Sequence, residues 1–288
     1  MLINRRLIFL FGLSGFLLFM HGCNIINPAE QTPTYIHVDS FLFDKNSAIA
    51  NISTSHQITN MWVYYNGANV GSFDLPATIP IITNGNDSGT LEIAPGIVVD
   101  GLNDLLATYP FYTISTQRIK PQPGKILNIL PETGYYNTIH PQVVAAFNGT
   151  TGFVQWMGKP IQTTYADSLV FEGLGSGMIL LTDPGDSSID SSSGSWPIPQ
   201  GVAYLEFNYK TNIQFYVGMQ TSAYGLSTSP YYLVGVSPSD HWQKFYMNMA
   251  DFVANFPGNT YNFYIKASLP PGQATGKVLI DNVQILHF

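Results

Sequence analysis

The sequence predicts an all-β protein, two β-sandwich domains behind a removable leader. Three observations predict it. Charged residues make up 10% of the chain, against roughly 25% in an average domain. Aromatic residues reach 14%, with 17 Tyr and 18 Phe, side chains that fit a pleated, half-buried surface. The 26 Gly and 19 Pro punctuate short apolar runs, and runs spaced about 8–15 residues apart read as strands between turns.

Residues 1–22 come first. Arg5 and Arg6 precede an almost unbroken apolar run over residues 7–20, followed by His21 and Gly22. A basic start, a short apolar core and a small residue before a cut site make a secretory signal. The run is shorter than the ~20 residues that a spanning helix needs. Outside this segment Lys plus Arg falls from 11 to 9 against 18 acids, a net charge of −9. That balance leaves no basic patch and argues against nucleic acid as a partner.

Met20-His21-Gly22-Cys23 resembles the lipobox of bacterial lipoproteins, and Cys23 is the only cysteine of the chain. The resemblance implies cleavage before Cys23, acylation of that residue with palmitate, and a Gram-negative cell envelope. In the family, Asp after the Cys retains a protein at the inner membrane. Asn24 stands there, which favours the outer membrane and leaves the leaflet open. Several acyl chains, at about 0.8 kcal/mol per buried methylene, hold a protein durably on a bilayer. With Cys23 acylated no thiol remains, so no disulfide staples the domains.

Residues 23–33, with Pro28 and Pro33, read as an extended tether. Residues 34–131 read as the N-terminal sandwich. Strands are expected over 36–43, 58–65, 70–75, 90–93, 111–120 and 126–130. Asn66-Gly67 is a hairpin turn signal, and Ala94-Pro95-Gly96 reads as a break. The segments around Asn66-Gly67, Leu75-Pro76 and Ile93-Ala94-Pro95-Gly96 resemble immunoglobulin- or transthyretin-like modules of bacterial surface proteins. Residues 132–151 lack periodicity and read as a linker.

Residues 152–288 read as a second sandwich, with strands near 168–172, 178–182, 202–210, 213–220, 231–236, 242–249, 261–267 and 277–286, a number that suits a two-sheet jelly roll. Asp167-Ser168-Leu169-Val170-Phe171-Glu172-Gly173 resembles the opening strand of galactose-binding-like carbohydrate-binding modules. Gly276-Lys277-Val278-Leu279-Ile280-Asp281-Asn282-Val283 resembles their closing strand. The resemblance implies a jelly roll and a glycan ligand. It also implies a structural Ca²⁺ held by Glu172 and Asp281. Strict alternation puts Asp281 on one face with Leu279, Val283 and Ile285, where a carboxylate needs a partner. Capping of loop amides is the alternative to the metal.

Alternation in 202–210, 213–220 and 261–267 gathers Tyr204, Glu206, Asn208, Gln214, Tyr216, Tyr264 and Lys266 on one polar-aromatic face if these strands share a sheet. Aromatic rings against sugar C–H faces, and amides and carboxylates on hydroxyls, are the chemistry of glycan binding. Residues 182–197, with Asp183, Asp186 and Asp190 among Ser and Gly, read as a solvated loop, and Trp196 as the wall of a cleft. The six His form no metal-ligand pair at helical spacing, and Gly-Leu-Gly-Ser-Gly at 173–177 is not a nucleophile elbow. The expectation is a non-catalytic binding module. Its alternative is a structural subunit docking on other envelope proteins, since interfaces are poor in charge and rich in Tyr and Trp.

Overall fold

The computed structural model describes residues 30–44, 52–83, 87–221 and 230–288. Cys23 and most of the expected leader and tether lie outside them. Among the described residues no helix is long and apolar enough to cross a membrane.

The first half is β1 (Thr34–Val38), β2 (Leu42–Phe43), β3 (Asn60–Tyr65), β4 (Ala68–Asp74), β5 (Ala77–Ile81), β6 (Gly89–Val98), β7 (Leu106–Thr108), β8 (Ser115–Ile119), β9 (Ile126–Asn128) and β10 (Glu132–Thr133). One sheet runs β5-β1-β9. A second runs β4-β3-β6-β7, with β8 also on β6. Alternation puts Ile36 and Val38 on one inner face and Met61, Val63, Leu91 and Ile93 on the other, and these pack as one core. β3 and β4 turn at Asn66 and Gly67, whose φ angles of 49° and 76° are the left-handed pair that a two-residue hairpin requires.

Ala94-Pro95-Gly96 is not a break. It lies inside β6, paired with Trp62, Met61 and Asn60. A Cβ on Gly96 would fall 1.6 Å from the Asn60 side-chain oxygen, so glycine permits a close approach within a continuing strand. Residues 132–151 carry structure as well. β10 pairs in parallel with β2, and β11 (His140–Ala145) joins a sheet of the second half.

The second half continues with β12 (Phe153–Gly158), β13 (Gln162–Thr164), β14 (Ser176–Leu181), β15 (Ser187–Ser192), β16 (Ala203–Thr211), β17 (Phe215–Thr221), β18 (Tyr231–Val236), β19 (Ser239–Asn248), a short α1 (Ala250–Asn255), β20 (Tyr261–Ser268) and β21 (Gly276–His287). A six-stranded sheet runs β13-β14-β21-β16-β19, with β11 also on β21. A five-stranded sheet runs β12-β15-β20-β17-β18. Leu205, Phe207, Phe215, Val217, Phe263 and Ile265 fill the space between them. The protein is all-β and built of sandwiched sheets.

Three expectations about these strands are corrected. Residues 167–173 form no strand: Asp167–Leu169 is a single 3-10 turn, and Gly173 has a left-handed φ of 70°. Residues 182–197 are not simply a solvated loop, because they contain β15. Its Ser188, Asp190 and Ser192 are buried, an inward polar row that an apolar search does not register. β16 does not share a sheet with β17 and β20. The Thr211 hydroxyl donates to the Ile213 carbonyl at 2.7 Å and accepts from the Ile213 amide at 3.2 Å. This tight arch carries the chain across the sandwich instead of back along the same sheet.

The two halves meet in one further core. Tyr109, Phe111, Tyr112 and Tyr135 of the first half pack with Tyr204, Tyr246 and Leu286 of the second.

Candidate functional site

Crossing at Thr211 divides the expected polar-aromatic face in two. Tyr204, Glu206 and Asn208 point outward from the six-stranded sheet, yet all three are buried, because the first half covers them. Glu206 accepts hydrogen bonds from Tyr109, from the Tyr135 hydroxyl at 2.9 Å and from the Gln284 amide at 2.7 Å. Its carboxylate also meets the Lys244 ammonium at 2.7 Å. Burial raises the Tyr109 and Tyr135 hydroxyls well above the ordinary tyrosine range, and the Glu206 charge raises them further. They remain neutral donors. Tyr204 and Glu206 thus lie in an internal seam closed to a ligand, and Asn208, 2% exposed, borders a hollow at its edge. The seam had the right residue types for sugar, and burial gives them another task.

Trp196 is half-buried. It is bridged to Tyr261 through two backbone hydrogen bonds of 2.8 Å and packs against the jelly-roll core.

The remaining expected residues do come together. Gln214, Tyr216, Tyr264 and Lys266 occupy the outer face of the five-stranded sheet, with Tyr216 directly across from Lys266 on the neighbouring strand. Gln220 and Asn262, which alternation puts on the same side, join them, as do two residues that sequence reasoning missed, Trp156 and Tyr232. Trp156 on the edge strand β12 leans on Tyr264, ring centroids 5.0 Å apart. The Lys266 ammonium lies 5.2 Å from the centre of the Tyr232 ring, a cation–π arrangement. The Tyr264 hydroxyl donates to Gln220, and Asn262 lies further along β20, opposite Gln220. Gly218 sits between Tyr264 and Tyr232 in register, leaving the middle of the face low. Trp156 escaped notice because the register shifts between Gln155 and Met157, so Val154, Trp156 and Met157 are all exposed where alternation would bury one. Aromatic faces beside amides and one ammonium make a shallow platform suited to the C–H faces and hydroxyls of sugar rings.

Glu172 and Asp281 are also brought together. The alternation assumed for the closing strand fails at Asn282, whose φ of 49° inserts one extra residue opposite β16. Asp281 therefore faces outward with Leu279, while Val283 and Ile285 face the core. Asp281 is fully buried and accepts from the Ser176 hydroxyl at 2.6 Å, the Asn282 amide at 2.8 Å and the Glu172 amide at 3.3 Å. Glu172 in turn accepts from the Ser53 hydroxyl at 2.7 Å and the Asn282 side chain at 2.9 Å. Protein donors thus occupy the Asp281 carboxylate and one oxygen, Oε2, of Glu172. Among the described residues no third His, Cys, Asp or Glu joins them in a group that could hold a metal ion.

Burial pushes the Asp281 carboxyl up to about 6, against the pull of its three hydrogen bonds, with Glu172 adding a small upward push. The folded value lies above the unfolded one of about 3.9, so between those pH values the native state binds more protons. Acidification from pH 6 to pH 4 is then expected to add stability through this residue, on the order of 2 kcal/mol, and neutral pH to remove it. Urea unfolding of the wild type and Asp281→Asn across that window checks the sign. A pH dependence identical in the two proteins would refute it.

No protein-family profile matches the chain. No curated protein matches it either. Solved structures with some likeness in fold include variants of the family 29 carbohydrate-binding module CBM29-2. One is 18% identical and covers 51% of this chain and 92% of its own length, with a TM-score of 0.35. A second, solved with mannohexaose, is 14% identical over 51% and 92% of the two chains, with a TM-score of 0.36. A further carbohydrate-binding module of family 29 is 16% identical over 51% and 88%, with a TM-score of 0.34.

Proposed function

We propose that this chain is a cell-envelope lipoprotein, acylated at Cys23, that binds glycan without catalysis on the outer face of its five-stranded sheet. The observation that carries the binding is the exposed Trp156 ring resting on the buried Tyr264 ring, beside Lys266, Tyr232 and Gln220 on the outer face of one sheet. The anchor is supported by the sequence around Cys23 alone. Mass spectrometry of the membrane-extracted protein tests it: an acylated Cys23 is expected, and a free thiol would sink it.

The platform is tested separately. The soluble chain without residues 1–23 is titrated with neutral hexasaccharides, mannohexaose among them. Trp156→Ala removes one wall of the ring pair and is expected to weaken binding tenfold to a hundredfold, about 1.4–2.8 kcal/mol. Saturable binding with no change in Trp156→Ala or Tyr264→Ala would remove this face from consideration.

A second reading is favoured by the edge strand. Val154, Trp156 and Met157 are 53%, 47% and 60% exposed on β12. An exposed apolar edge can dock on another envelope protein, with strand pairing and buried aromatics supplying the contact. Copurification after crosslinking through β12 supports that reading, and a protein recovered alone argues against it. The Ca²⁺ implied for Glu172 and Asp281 is decided by melting with and without chelator.

A further inference from the structure

The outer face of the six-stranded sheet is covered by the first half only in part. Beyond the seam lie two hollows, about 710 Å³ and about 420 Å³. Leu169, Lys210, Asp240, His241, Lys277 and Leu279 line the larger. Phe171, Glu172, Asn208, Trp242, Gln243 and Lys244 line the smaller. The same three runs of chain contribute to both: residues 169–172, 208–210 and 240–244. Asn208 and Lys210 are two apart on β16 and share a face, as do Trp242 and Lys244 on β19. The hollows therefore lie end to end, and the Phe171–Trp242 ring pair, centroids 5.2 Å apart, marks the join.

We infer that this groove is a second binding site, for an acidic oligosaccharide, with a uronic acid residue at the Lys210–Lys277 end and the next sugar against Phe171 and Trp242. It shares with the reading above only the class of ligand, and the two can fail independently.

The chemistry selects the ligand. Only nine Lys and Arg lie outside residues 1–22, yet two stand over this one apolar floor of Leu169 and Leu279. Neither Lys210 nor Lys277 makes an ion pair among the described residues. Two ammonium groups without a close ion pair, Lys210 with Asp240 in electrostatic reach, stand over a largely aliphatic floor and suit a carboxylate on a compact ring. A densely charged phosphate fits less well, because the Asp240 and Glu172 carboxylates border the same groove and would repel it. Those carboxylates suit sugar hydroxyls, which need acceptors, and Gln243 adds a planar amide along the path. Trp242 and Phe171 offer ring surface where the carboxylate ends and the C–H face of the neighbouring sugar begins.

The soluble chain is titrated with tetragalacturonate and with cellotetraose at low and high salt. The acidic tetramer is expected to bind at least tenfold more tightly, with the preference shrinking as salt screens the ammonium groups. Lys210→Gln with Lys277→Gln is expected to abolish that preference, and Trp156→Ala to leave it intact. Lys210 and Lys277 are partly exposed residues, so this double variant is expected to keep the fold even if Trp242→Ala does not. Absence of tetragalacturonate binding, equal affinity for the two tetramers, or a preference that survives the double lysine change would overturn the inference. Loss of cellotetraose binding in Trp156→Ala alone would leave it standing, since that result reports on the other sheet.

Discussion

Glu206→Ala is expected to destabilise the protein by about 3–5 kcal/mol, the cost of leaving a buried ammonium without its counter-charge. Lys244 is 1% exposed, and the charge is otherwise met by the Ser55 hydroxyl at 3.3 Å and the Tyr246 ring, its centre 5.9 Å away. Tyr109, Tyr135 and Gln284 would lose their acceptor at the same time. These losses are coupled through one carboxylate and do not add. A fall in melting temperature of roughly 10 °C follows for a protein of this size. Glu206→Leu combined with Lys244→Met should recover most of it, because a buried ion pair contributes little beyond an apolar pair of similar volume. Calorimetry of the three proteins checks both statements. A single variant that melts within 2 °C of the wild type, about 1 kcal/mol, would show that water reaches Lys244 in solution.

The second large effect concerns separation of the halves. A fragment of residues 138–288 is expected to fail as a soluble, cooperatively folded monomer. Tyr246 and Leu286 are 2% and 0% exposed in the whole chain, and the cut bares both, together with Tyr204 and the Glu206–Lys244 pair. A contiguous apolar patch of that kind drives association. Residues 30–137 would lose the cover over Tyr109, Phe111, Tyr112 and Tyr135 in the same way. Size-exclusion chromatography and thermal unfolding of each fragment give the answer. Either fragment running as a monomer with a native-like transition would show that the seam is a contact between independent domains.

The class of fold was legible in the sequence because strand periodicity, aromatic content and turn residues all agree. Asn66-Gly67 specified its hairpin alone. Three local features were less legible. Pro95 and Gly96 carry the marks of a break but continue a strand, since Asn60 occupies the space where a Cβ would sit. Polar β15 hides its inward row because Ser188 donates to Asp190 at 2.6 Å, and Asp190 accepts the Ile161 amide at 3.1 Å. One extra residue at Asn282 turns Asp281 to the opposite side from Val283. The candidate site was half legible. Alternation ranked Tyr216, Tyr264 and Lys266 correctly as outward, and it ranked Tyr204, Glu206 and Asn208 as outward too, which they are. What a strand pattern does not encode is which outward face another part of the chain will cover. That depends on contacts between residues such as Tyr109 and Glu206, 97 positions apart.

The parallel pairing of β1 with β9 has a mechanical meaning. A pull arriving along a tether enters at Thr34, and the chain leaves β9 at Asn128, the opposite end of the shared ladder. Tension between those points slides the two strands past each other and strains every rung at once, instead of opening them one at a time like a zip. Under the anchoring proposed above, a load on the chain would meet the ladder in its most resistant direction.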